Sequence, residues 1–192
     1  AVLPIGIPAN ADRGLGGGAT FLSGAAFPFI SGTNSSLESA FYVQNIGDQE
    51  AELELYYADI DGISITPAED QETTLGPGES TFFRFVVQVS ELVPAGQYPV
   101  TLNLRENVEL DPSQSGSTYI PALAAKFRVD VVGASATANI NAISELNGLP
   151  AIGTLSLYYL AENGTDTLVR QERTSGFSIR LVPGNYRLFF DI

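Results

Sequence analysis

The sequence contains no cysteine, histidine, methionine or tryptophan, and its one lysine is Lys126. Without histidine or cysteine there is no Ser-His-Asp triad, no Cys-His dyad, no zinc site of the usual types and no iron–sulfur cluster; His- or Cys-ligated haem is excluded too. A Schiff base would have to use Lys126, which lies inside the strand-like run AAKFRVDVV. No disulfide can form, so an oxidising compartment is neither required nor excluded. Basic side chains are scarce, 9 against 22 acidic ones, for a net charge of −13. Nucleic acids need cationic surface to displace counterions and anionic membranes attract the same, so neither is expected as a partner. The 19 Gly and 11 Pro interrupt every long apolar run, so no membrane-inserted helix is expected.

What remains is a globular composition, 44% hydrophobic and 16% charged, arranged as short alternating segments. In AELELYYA, Ala51, Leu53, Leu55 and Tyr57 take one face and Glu52, Glu54 and Tyr56 the other, the period of a half-buried strand. STFFRFVVQV sets Phe83, Phe85, Val87 and Val89 against Arg84 and Gln88, and QYPVTLNLR aligns Tyr98, Val100, Leu102 and Leu104. Further strands are predicted over TFLSGAAFPFI and over 38–46, 62–66, 122–132, 135–144, 153–161, 166–173, 176–182 and 185–190. Turn-forming clusters such as NIGDQ, DIDG, LNGLP and ENGTD separate them. ISELNG at 143–148 has the length of one helical turn. The pattern predicts an all-β chain of two immunoglobulin-like or jelly-roll-like sandwiches in series, at 19–132 and 133–192, preceded by an extension at 1–18.

Leu-x-Pro followed by glycine and a strand occurs three times, as LGPGESTFFRFVV, LVPAGQYPVTLNL and LVPGNYRLFF. Proline presets φ at the first turn position, and glycine is expected to supply the positive φ after it. Tyr98 and Tyr186 follow two of these turns at the spacing of a tyrosine corner, in which the phenol bonds back to the chain entering the turn. Two ordinary core tyrosines would leave the same spacing. Residues 41–104, from FYVQNIGDQEAELELYYADIDG to AGQYPVTLNL, resemble the immunoglobulin-like modules of bacterial and archaeal surface proteins. NGLPAIGTLSLYYLAENGTDTLVRQERTSGFSIRLVPGNYRL resembles carboxypeptidase-regulatory and collagen-adhesin B-type modules. The second resemblance implies an intramolecular Lys–Asn bond in some members, for which Lys126 is the available lysine.

The second module is short for a sandwich of its own, with five strand candidates and a last strand, YRLFFDI, whose neighbour nothing covers. The first thirty residues carry only Asp12 and Arg13 as side-chain charges. AVLPIGIP offers Val2, Leu3, Ile5 and Ile7 as apolar pegs, and Gly14, Gly16, Gly17 and Gly18 read as a flexible tether. The opening AVLP also suits the residue after signal cleavage, and with it a secreted, cell-surface chain. These features predict donor-strand exchange, in which the leading segment of one subunit completes the sandwich of the next and the head-to-tail contact builds a filament. That mechanism resembles chaperone–usher pilins and archaeal extracellular filaments. The alternative is that residues 1–30 fold back on their own chain as an edge strand.

Three smaller readings stand beside this. Asp59-x-Asp61-Gly62 has the alternating carboxylates of a calcium loop, without its distal Glu, and Asp-Gly equally makes a hairpin turn. Asn34 and Asn163 open the sequons NSS and NGT. Tyr56, Tyr158 and Tyr159 offer an aromatic platform for glycans, which defines the second functional reading, a carbohydrate- or surface-binding module. A glycosidase using two of the carboxylates is the third. The leading expectation is a non-catalytic, cofactor-free subunit whose main partner is a copy of itself.

Overall fold

The computed structural model describes residues 13–18, 21, 24–107, 120–161 and 164–192. These form fourteen strands and no helix. The strands are β1 (Leu15–Gly18), β2 (Ala26–Ile30), β3 (Ser35–Asn45), β4 (Ala51–Tyr57), β5 (Ile63–Pro67), β6 (Thr74–Leu75) and β7 (Ser80–Val89). There follow β8 (Gly96–Glu106), β9 (Ala122–Val132), β10 (Ala136–Asn141), β11 (Gly153–Leu160), β12 (Asp166–Thr174), β13 (Gly176–Leu181) and β14 (Asn185–Asp191). Val2, Leu3, Ile5 and Ile7, and Asn163, lie outside the described residues.

The chain divides into two compact units. One holds the described residues through Phe29, Asn34–Val89 and Gln97–Asp130; the other holds Ile30–Thr33, Ser90–Gly96 and Val131–Ile192. A boundary at 132/133 would place 30–33 and 90–96 in the first unit. Hydrogen bonds explain why they join the second: Ser31 N donates to the Val132 carbonyl at 2.9 Å, and Ser31 Oγ donates to the Val93 carbonyl at 3.1 Å.

In the first unit, a sheet of order β1-β3-β7-β5 packs on a sheet of order β2-β9-β8-β4-β6. The alternating strands place their apolar files inward: Phe83, Phe85, Val87 and Val89 of β7, and Val100, Leu102 and Leu104 of β8, are buried. β3 and β7 pair in continuous register from Ser35↔Val89 to Gln44↔Ser80. Phe85 of one sheet lies 5.9 Å from Phe127 and 6.3 Å from Phe27 of the other. Phe21 closes this cluster, with its ring 5.4–6.1 Å from Phe27, Phe41, Phe85 and Phe127 in edge-on contacts. Each such ring contributes about 2–3 kcal/mol of burial, and the edge-to-face pairs add up to about 1 kcal/mol each.

Two local expectations are corrected here, and one strand is added. The glycines read as a tether are part of an ordered edge: β1 pairs with β3 from Leu15↔Asn45 to Gly18↔Tyr42. A Cβ on Gly17 would stand 2.5 Å from the Tyr42 carbonyl and from a Leu123 methyl, so glycine is there to let the backbone approach. β6, two residues long, has no periodicity to read and exists because it pairs with Ala51 and Glu52 of β4. Of the three turn glycines, only Gly78 takes a positive φ (76°); Gly96 and Gly184 do not. Gly184 is small because the Tyr159 ring lies against it.

The second unit has a sheet β10-β13 and a sheet β12-β11-β14. Leu155 and Leu157 of β11 are buried, and the Arg170 guanidinium of β12 lies 4.9 Å over the Phe177 ring of β13, joining the two sheets. A bulge between Leu157 and Tyr158 shifts the β11–β12 register. The segment ISELNG makes a single turn, with Gly148 N donating to the Ser144 carbonyl at 2.9 Å.

Candidate assembly site

The base of the N-terminal segment is fastened to the first unit. Arg13 Nη1 donates to the Glu106 carboxylate at the end of β8, and only 3% of that Glu106 side chain is exposed against 34% for Arg13. Gly14 accepts from Ile46 N at 3.0 Å through its carbonyl, and β1 continues along β3. Whatever the preceding residues do, they start from an anchored point at Arg13. The signal for this pair is slender but present: Arg13 is one of only two charged side chains in the first thirty residues. Its partner, far along the chain, has no sequence signature.

At the other end of the sequence lies β14. Among the described residues it pairs with β11 alone, from Thr154↔Asp191 to Leu160↔Asn185. Tyr186, Leu188 and Phe190 therefore share a face with the buried Leu155 and Leu157 and with Tyr159. That face points toward the β10-β13 sheet on the β12 side, where Arg170 meets Phe177. On the β14 side Leu188 is 46% exposed, and Phe189 on the opposite face is 47% exposed. Beside the charged Arg187 and Asp191, this edge strand shows leucine and phenylalanine to solvent, which invite pairing.

The turn entering β14 is well held. Tyr186 Oη donates to the Val182 carbonyl at 2.9 Å, the backward bond that defines a tyrosine corner, and the Tyr186 ring stacks edge-on against Tyr159 at 5.4 Å. Burial, and secondarily the neighbouring Tyr159, push the Tyr186 phenol pKa up. Tyr98 is half-buried in β8. Gly153 admits β14 closely, since a Cβ there would strike the Asp191 carbonyl and the Phe190 ring.

The remaining candidate residues are scattered. Asn34 is exposed just before β3. Asp59 and Asp61 flank a turn closed by Ile63 N donating to the Ile60 carbonyl at 2.9 Å, with Gly62 at φ 75°. Among the described residues no group of three or more Asp or Glu side chains gathers that could hold a metal ion. Tyr56 is exposed under the Arg105 guanidinium, 5.3 Å from its ring, and Arg105 also clasps Glu54. Tyr158 stacks on Phe189 at 5.6 Å. Within the second unit, Tyr158 and Tyr159 are successive residues of β11 and take opposite faces of it. An exposed pair that the strand patterns did not reveal, Tyr42 and Phe82, meets edge-on at 6.0 Å on the outer face of β3 and β7. A second missed feature is the apolar lip Ile143, Leu146, Leu149 and Ile152, all exposed, on a hairpin tied by Ser144 N to the Leu149 carbonyl at 2.9 Å.

No family model matches the sequence, and no curated protein matches it. Solved structures to which the chain is similar include native alpha-2-macroglobulin from Escherichia coli, from domain MG7 to the C-terminus, at 11% identity over 78% of this chain, with a TM-score of 0.35. The chain spans 23% of that macroglobulin chain. The class 5 fimbriae chaperone CfaA is similar at 14% identity, covering 90% of this chain and 92% of its own, with a TM-score of 0.35. A chaperone–tip adhesin complex of CFA/I fimbriae is similar at 14% identity, covering 90% and 94%, with a TM-score of 0.34. Among the described residues no helix is long and apolar enough to cross a membrane.

Proposed function

We propose that this protein is a secreted, non-catalytic structural subunit that assembles head to tail into a cell-surface filament. In this reading the apolar segment AVLPIGIP leaves its own body and supplies a strand to the next copy. The observation that carries the reading is Leu188. It stands 46% exposed on the inward face of a strand that, among the described residues, is paired along one edge only. Burying such a leucine is worth about 2 kcal/mol, and pairing the open backbone edge satisfies further donors and acceptors. Arg13 and β1 lie on their own body, as the alternative of a folded-back edge strand expects for that stretch, so the proposed arm is confined to the residues before Arg13.

The experiment is negative-stain microscopy of the native protein beside a variant lacking residues 1–8, which keeps Arg13 and β1 intact. Fibres from the full chain and separate particles from the truncated one are expected. Fibres that survive the deletion would refute the arm as the linking element.

A further inference from the structure

We infer that the open edge of β14 is the acceptor for residues 2–8 of a second copy, and that the backbone groups of Leu3, Ile5 and Ile7 make the ladder. This assignment rests on the filament reading and names the site within it. In an extended strand the N–H and C=O of alternate residues point to the same edge, and their side chains to the same face. Leu3, Ile5 and Ile7 thus form one set; Pro4, Gly6 and Pro8 form the other. Proline has no N–H, so the second set cannot build a full ladder. The segment can pair completely along one edge and is blunted along the other.

β14 offers the matching half. It has one edge occupied by β11 and seven residues, Asn185–Asp191, along the other. Apolar pegs at 3, 5 and 7 would lie beside Tyr186, Leu188 and Phe190 on the inward face, where Leu188 lacks cover. The segment AVLPIGIP carries no side-chain charge, as burial beside these residues requires. The prolines then end the sheet, so that one copy adds one strand and no more. The reach is also bounded: Arg13 is five residue steps from Pro8, and five extended steps span at most about 18 Å.

Because the chain has no cysteine, introduced pairs report cleanly. Protein carrying Ile5→Cys is mixed with protein carrying Leu188→Cys before assembly, oxidised, and run on a non-reducing gel. Neighbouring strands hold residues within disulfide range. The control partner is Leu146→Cys, on a side chain that is 98% exposed and open to any collision. Docking raises the local thiol concentration, so the 5–188 dimer is expected at about tenfold or more over the 5–146 dimer. Equal yields would overturn the assignment. Should Leu188→Cys fail to fold by circular dichroism, Phe190→Cys on the same face takes its place. Fibres without the 5–188 dimer would overturn the β14 acceptor while leaving the filament reading intact; separate particles without it would overturn both. A 5–188 disulfide confined to single chains of a doubly substituted protein would overturn the second copy as occupant.

Discussion

The hydroxyl of Tyr186 donates to the carbonyl of Val182 at 2.9 Å, four residues back along the chain, and so closes the turn from β13 into β14. Val182 is itself buried, which makes its carbonyl costly to leave without a donor. Tyr186→Phe keeps the ring against Tyr159 and removes only the bond. Chemical denaturation should show a loss of about 1 kcal/mol.

The same phenol gives a pH signature. Its pKa is raised in the folded protein, by burial first and Tyr159 second, above the ordinary value near 10. A raised folded value means the unfolded chain releases the proton first. The stabilisation is complete below about pH 10 and is lost as pH climbs through the raised value. Melting temperatures measured across the alkaline range should fall more steeply for the native sequence than for Tyr186→Phe.

Arg13→Ala strips the cation from the buried Glu106 carboxylate. Breaking a fully buried pair costs about 3–5 kcal/mol; because Arg13 is a third exposed, about 1–3 kcal/mol is expected. Combining Arg13→Ala with Glu106→Gln should recover part of that loss, and a double-mutant cycle of unfolding energies measures how much. Strictly additive losses would mean that the two side chains do not act as a pair.

Asn45 is the buried polar hub at the end of β3. Its Nδ2 donates to the Gln49 carbonyl at 2.6 Å and the Leu75 carbonyl at 3.0 Å, while its Oδ1 accepts from Gly47 N at 2.9 Å. Asn45→Ala leaves all three backbone groups unmatched and should cost about 2–3 kcal/mol. Hydrogen exchange should speed up at Gly47 in particular.

Gly153→Ala would drive a methyl into the Asp191 carbonyl and the Phe190 ring, both on β14. Overpacking of this kind costs about 1–3 kcal/mol. The expected outcome is a lower melting temperature with proteolysis beginning at the C-terminal strand. An unchanged protein would show that β14 yields easily at this point.

The strands with clean alternation, β4, β7 and β8, were legible because each buries one face and leaves the other wet. The five strands of the second unit were legible through the turns between them. β1 was not, since glycine has no side chain to display a period, and β6 was not, since two residues hold no pattern. The Tyr186 bond could be anticipated from local spacing, whereas Arg13 and Glu106 meet across 93 residues and only the fold brings them together. The recurring Leu-x-Pro turn was visible at once, yet the role of its glycine was not: Gly78 turns the chain, and Gly184 makes room for an aromatic ring.

The tight seat of Gly17 between Tyr42 and Leu123 reverses the ordinary inference from a glycine run. A letter that looks like slack is thus fixed by the backbone across from it. A saturating mutational library across 14–17 should therefore be depleted of substitutions at Gly17 as severely as at the phenylalanines of the core.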